Sequence, residues 1–208
     1  MPADAPALAP ESRRPGRPRG GRLLVERSQL LEAAIRAVTR LGPDATMDDV
    51  AAEASVTKPV VYRTVGDKAA LTVALSEWLI DRIDSATREA QAVLNSPRAQ
   101  FRSSVHAYLS TIARHRNVFL FVNMGEPATD LFRRLVDRSA LGMVERFGPL
   151  RTRVGLDAGG ARTWSYAVVG ALQVAATMWQ ADEYCTLDVL ADDLTTLVWD
   201  GLGPTLVR

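Results

Sequence analysis

Between residues 46 and 71 the chain reads TMDDVAAEASVTKPVVYRTVGDKAAL, and six side chains in this stretch offer one kind of chemistry. The hydroxyls of Thr46, Thr57 and Tyr62 can donate to an anionic oxygen, while Lys58, Arg63 and Lys68 bring positive charge. Val60 can offer only apolar contact, for example with a thymine methyl. Such a set suits the phosphates and base edges of a nucleic acid. Lys58 and Lys68 are the only lysines in a chain with 25 basic residues. Each residue also has a purely structural reading. Thr46 and Thr57 can be helix N-caps, the lysines can sit on a solvated face, and Tyr62 can be a core ring.

The local pattern predicts what positions them. Thr46 and Asp49 form a T-x-x-D capping box opening a short helix that buries Val50, Ala51 and Ala54. Thr57 can cap the next, Pro59 is tolerated in its first turn, and Val61 and Val65 share one face. Gly66-Asp67 then breaks the chain and recaps it. Upstream, residues 28–41 carry Leu31, Ala34/Ile35, Val38 and Leu41 at helical spacing and stop at Gly42-Pro43. Two short helices across a tight turn form a helix-turn-helix, whose second helix puts its first turn in the major groove. Thr57, Lys58 and Val60 are then candidates for base edges or phosphates, and Arg63 for either. Tyr62, with its ring buried and hydroxyl free, suits a phosphate. Lys68 and Thr46 lie at helix starts, where free backbone N–H groups favour an anion.

The stretch resembles the DNA-binding segment of TetR-family transcriptional regulators. The matching features are Thr46, Val50-Ala51, Ala54, Val56-Thr57-Lys58, Val61-Tyr62, Gly66-Asp67-Lys68 and Leu71. Three positions depart from the family pattern. Ser55 stands where the turn usually has glycine, and Thr64-Val65 where an aromatic or histidine followed by phenylalanine is usual. Thr64 puts one customary phosphate contact in question, and Val65 is a smaller plug against the next helix. The resemblance implies a homodimer joined through the last two helices and a ligand-responsive repressor of a palindromic operator. A small hydrophobic ligand in the C-terminal domain is likewise an implication of the family.

Beyond residue 68 the periodicity predicts further helices over about 68–94, 96–114, 118–124, 130–153, 157–180 and 187–201, with Gly148-Pro149 kinking or ending the fourth of them. Strand-like alternation is nearly absent. The fold class is all-α, an N-terminal three-helix helix-turn-helix domain plus a six-helix ligand-binding and dimerisation domain. The expected divisions are a disordered basic arm over 1–22, the DNA-binding domain over 23–70 and the regulatory domain over 71–208. Phe101, Val105, Tyr108, Phe121, Met143, Phe147, Trp164, Val168 and Leu172 supply bulk enough to line a ligand pocket, although core packing uses the same residues. Trp164, Val168, Ala171/Leu172, Ala175 and Trp179 form an apolar stripe, and Leu187, Leu190, Leu194 and Leu197 a second. Either a partner subunit or an intramolecular core would explain both.

Net charge is +1, unevenly spread: six arginines against Glu26 between residues 12 and 27, then fourteen arginines against fifteen carboxylates beyond residue 76. A basic arm on a balanced body points to a polyanion, nucleic acid first. Within it, Gly16-Arg17-Pro18-Arg19-Gly20 resembles the core of an AT-hook, which would lay Arg17 and Arg19 into a narrow minor groove. A solvated tail adding only phosphate attraction is the other reading. One cysteine, Cys185, and two histidines, His106 and His115 nine positions apart, leave no metal or disulfide framework. No G-x-S-x-G, phosphate loop or Cys/His pair is present, so no catalysis and no cofactor are expected. Without an h-region or a membrane-length apolar run, the expected location is cytoplasmic. The competing expectation is an architectural or ligand-blind DNA binder driven by the arm.

Overall fold

The computed structural model describes residues 26–92, 96–123, 128–153 and 155–201, so the arm with Arg17 and Arg19 lies outside the described residues. Within them the chain is all-α: α1 (Arg27–Leu41), α2 (Met47–Glu53), α3 (Lys58–Val65), α4 (Lys68–Ala92), α5 (Pro97–Arg114), α6 (Arg116–Asn123), α7 (Ala128–Arg153), α8 (Ala161–Asp182) and α9 (Leu187–Trp199). A single 3-10 turn, Ala158–Gly160, precedes α8. No helix among the described residues is long and apolar enough to cross a membrane.

Local chemistry explains most boundaries. The Thr46 hydroxyl accepts from the Asp49 backbone N–H at 3.3 Å, and Asp49 accepts in return from the Thr46 N–H at 2.8 Å. The Thr46 hydroxyl also donates to that carboxylate, and these two bonds hold Asp49 below the usual carboxylate range. Asp67 caps α4 by accepting from the Ala70 N–H at 2.8 Å. Ser96 caps α5 ahead of Pro97, and Thr186 caps α9. α7 continues through Pro149 to Arg153, where the sequence left a kink or an end open.

α1 buries Leu30, Ala33, Ala34, Ala37 and Val38, while Leu31 and Ile35 are only partly covered and Leu41 is exposed. The buried stripe is therefore offset from the expected one. The cause is that α1 packs on two sides, against α2 and α3 and also against α6. One core runs without interruption from the Val38–Val50–Val61 group through Leu75 and Leu79 to Leu109, Ile112 and Ala191. Burying one such leucine or valine is worth about 1.5–3 kcal/mol, which sets the three short N-terminal helices on the longer ones behind. α9 lies along α5, with Arg98 paired to Asp200 at 2.8 Å, Arg102 to Asp192, and His106 to Asp188 at 3.2 Å. Leu190, Ala191 and Leu194 close this contact from the apolar side. Leu190 and Leu194 of the α9 seam are thus turned inward, whereas Leu187 is partly buried and Leu197 is exposed.

Candidate functional site

The turn between α2 and α3 passes through Ser55 at φ 54°, the left-handed region that normally favours glycine. The Val56 N–H bonds the Ala51 carbonyl at 2.9 Å, closing the turn. Arg36 and Arg40 of α1 both reach Glu53 at the end of α2, at 3.0 and 3.2 Å, and Arg36 is the main cause of its lowered pKa. α3 buries Val61 and Val65 against this frame. Its opposite edge, Thr57, Lys58, Pro59, Tyr62 and Arg63, is exposed, with Val60 at the margin. Thr57 occupies the N-cap position, but its hydroxyl makes no capping hydrogen bond. It is therefore available to a phosphate.

Tyr62 differs from expectation. Its ring is 43% exposed rather than buried. On an eight-residue helix Val61 and Val65 take the inward face, and Tyr62 falls a third of a turn away. Lys58 is paired with Asp48 of α2 at 2.9 Å, and that hydrogen bond raises its pKa. Both partners are well exposed, so the pair is weak and a phosphate can displace Asp48. Asp48→Asn should accordingly tighten DNA binding about three- to tenfold at low salt, with the gain shrinking as salt rises. An unchanged or weaker complex would show that Asp48 instead holds Lys58 in its working position.

Lys68 opens α4 with its ammonium 5.3 Å from the centre of the Phe121 ring on α6. Phe121, expected to line a ligand pocket, is buried beneath this first turn and borders none of the three cavities described next. An apolar residue on a short helix faces whichever neighbour covers it, and here that is α4.

Three cavities adjoin in the C-terminal half, and Phe101 borders each. One of about 280 Å³ lies among α4, α5, α7 and α8 and is bordered by Val105, Tyr108, Met143 and Leu172. A second of about 410 Å³ reaches Phe147 and Arg153. The third, about 600 Å³, opens to the surface and is bordered by Phe147, Trp164 and Val168 with the end of α9. Eight of the nine expected residues therefore border cavities. In the first, the Tyr108 hydroxyl donates to Gln173 Oε1 at 2.7 Å, and burial raises its pKa. Among the described residues no cluster of His, Cys, Asp or Glu could hold a metal ion.

Comparison with known proteins gives this arrangement its context. The profile of the family described as "Bacterial regulatory proteins, tetR family" matches residues 30–75, from α1 into α4. An HTH-type transcriptional regulator of Mycobacterium tuberculosis is 31% identical over 186 residues, covering 85% of this chain and 76% of the relative. The chain belongs to the TetR family. The activator FasR of Mycolicibacterium smegmatis, also HTH-type, is 28% identical over 90% of this chain and 89% of its own. A TetR-like regulator from Rhodococcus superimposes with a TM-score of 0.61 at 26% identity, over 85% of this chain and 94% of that one.

As a TetR-family DNA-binding regulator, the chain keeps its helix-turn-helix despite Ser55, because serine tolerates the left-handed turn at a cost of about 1 kcal/mol. Val65, the smaller plug, is nonetheless buried, beside a surface depression of about 200 Å³ bordered by Leu31, Ala74 and Trp78 together with Arg27, Glu77 and Asp81. The sequence pattern did not reveal the α4 wall of the first cavity, where Asp84, Thr87, Arg88 and Gln91 border it together with Arg138 of α7. Their i, i+3/i+4 spacing was the available signal, but polar residues at that spacing also describe an ordinary solvated face. Arg138 joins α7 to α4 through Asp81 at 2.5 Å.

Proposed function

We propose that this TetR-family regulator is a homodimeric repressor whose hold on a palindromic operator is released by a small hydrophobic ligand. Residues 23–70 read DNA, and 71–208 sense the ligand and dimerise. The observation that carries the reading is the exposed edge of α3, where Thr57, Lys58, Tyr62 and Arg63 stand together beside the inward-facing Val61 and Val65. That edge enters the major groove, with Val60 at its margin meeting a thymine methyl and Arg63 a base or phosphate. Thr46 and Lys68 flank it at helix starts and bind phosphates. Arg17 and Arg19 of the arm add contacts in the adjacent minor groove.

Release requires a path from cavity to α3, and α6 supplies one. Arg116 donates to the Gln180 carbonyl at the end of α8 at 2.6 Å, while its neighbour Asn117 donates to the Thr39 carbonyl in the last turn of α1 at 2.8 Å. Adjacent residues of α6 thus grip a helix bordering the cavities and the first helix of the DNA module. A ligand that prefers a different placement of α8 shifts α1 with it, by no more than its differential affinity for the two states.

Dimerisation uses α8 and α9. Trp164, Ala167, Ala171, Val174 and Met178 lie exposed along α8 at alternating spacings of three and four. Two recognition helices then face half-sites about 34 Å apart.

Fluorescence anisotropy on DNA flanking this protein's own gene, against scrambled DNA at physiological salt, tests the reading. A preference of about 10³ or more is expected. Equal affinity would favour an architectural binder driven by the arm. Tyr62→Phe should weaken binding to all sequences alike, by roughly 10- to 100-fold for two half-sites each losing one solvent-accessible hydrogen bond worth about 0.7–1.4 kcal/mol. Unchanged affinity would remove Tyr62 from the interface. The likeness to FasR, an activator by name, favours a second reading in which the same DNA contact recruits rather than blocks transcription.

A further inference from the structure

Successive residues of a helix turn by about 100°, so the buried pair Val61 and Val65 fixes which way the rest of α3 points. Opposite that pair stand Pro59 and Arg63, one turn apart and both exposed. Lys58 and Tyr62 lie roughly a quarter-turn away, on the flank where Lys58 reaches Asp48 of α2. Val60 and Thr64 hold the other flank and are half-buried. The row that projects furthest from the protein is therefore a pyrrolidine ring followed by a guanidinium.

The chemistry of that row is narrow. Pro59 has no backbone N–H to offer a phosphate and no polar side-chain atom. What its ring can cover is an apolar group, and the major groove displays one, the C5 methyl of thymine. The ring has no rotamer freedom to lose on contact. Helix starts favour proline chiefly at their first position, and here Lys58 holds that place after the Thr57 cap. Arg63 makes no ion pair or hydrogen bond among the described residues, and its fork matches O6 and N7 of guanine. From Thr57 to Val65 the chain reads TKPVVYRTV, without Asn, Gln, Asp or Glu. α3 thus carries no carboxamide to pair with adenine and no carboxylate to accept from cytosine.

We infer that Pro59 and Arg63 set the sequence that α3 reads, Pro59 covering a thymine methyl and Arg63 gripping a guanine. The inference rests on the sequence-specific reading above and deepens it by naming the bases. Four residues of helix rise about 6 Å against about 3.4 Å for each base pair, so the thymine and the guanine lie within about two base pairs of each other. Lys58 and Tyr62, on the flank, hold the backbone that keeps this row in register.

The test starts from the full chain and a pool of random DNA duplexes, from which bound sequences are enriched and read. Enriched half-sites should share a thymine and a guanine at that separation. Deoxyuridine in place of that thymine removes only the methyl. Wild type should lose about fourfold for each half-site, on the order of 15-fold for two, a measurement that needs no variant to fold. Pro59→Ala should bind the thymine and uracil operators alike. Arg63→Ala should lose at least about 30-fold on the enriched operator and far less on scrambled DNA. Enrichment of half-sites that lack the thymine–guanine pair overturns the inference and leaves the sequence-specific reading standing. A pool that yields no enriched sequence overturns both. Wild type indifferent to uracil, or Pro59→Ala as sensitive to it as wild type, overturns the role of Pro59. A loss on Arg63→Ala shared equally by scrambled DNA makes Arg63 a phosphate contact and overturns its role.

Discussion

Gly66→Ala should cost this protein about 2–4 kcal/mol of stability and lower its melting temperature by roughly 5–12 °C. Gly66 ends α3 at φ 91°, ψ −151°, a conformation that is essentially confined to glycine. A Cβ there would also stand 2.8 Å from that of Ala70, on the first turn of α4. Strain and close approach act together, and both fall on the joint that fixes the recognition helix against α4. DNA affinity should fall further than the stability loss alone accounts for, because the variant relieves its strain by moving α3. Gly42 provides the control. It ends α1 at φ 88° with nothing within 4 Å of an added Cβ, so Gly42→Ala carries only the conformational part. Calorimetry on both variants separates the terms. Equal losses would mean that the Ala70 contact relaxes freely.

On the proposed reading, Lys58→Ala should weaken operator binding by roughly 30- to 300-fold, since a dimer would lose the contact twice. The dependence of log affinity on log salt should become shallower by about two, one released counterion for each half-site. The position invites the test, because Lys58 begins α3, is well exposed, and is held in the free protein only by the exposed Asp48. Loss of affinity shared equally with scrambled DNA would identify a phosphate contact. Loss confined to the operator would identify a base edge. Unchanged affinity and slope would show that the Asp48 pair persists on DNA and that Lys58 never reaches it.

The features readable in advance were those settled within one helical turn. The Thr46–Asp49 box, the Ser96-Pro97 start and the left-handed Ser55 depend on neighbours three or four residues away, and sequence displays those directly. Tyr62 was misplaced because an aromatic residue beside Val61 fits either the core or the rim. Only the angle of α3 against α1 decides between them. Phe121 lies away from the three cavities for a related reason. Five consecutive residues of α6 are apolar, and the side facing α4 rather than a cavity follows from where Lys68 and Asn117 anchor it. The α8 and α9 stripes were visible as apolar periodicities. Yet Leu190 and Leu194 are buried while Val174 and Met178 face outward, a partition set by the packing of α9 on α5 and of α8 on α7, contacts between elements far apart in sequence. Thr87 and Gln91 were overlooked because polarity in sequence does not distinguish a cavity wall from open solvent.

One further consequence lies in α4. Its 25 residues form a single uninterrupted helix, with the capped first turn beside α3 and Gln91 at the rim of two cavities. A rod of that length spans about 37 Å, so a tilt of only about 5° at one end carries the other some 3 Å. Two such rods tilting symmetrically would change the separation of their tips by about 6 Å, nearly two base-pair steps against a half-site spacing fixed by the duplex. Mechanical advantage therefore lets a displacement of about a bond length among packed side chains become a misfit that the double helix cannot absorb. The same rod isolates the two ends chemically, so the cavity residues can vary without altering the residues that face DNA.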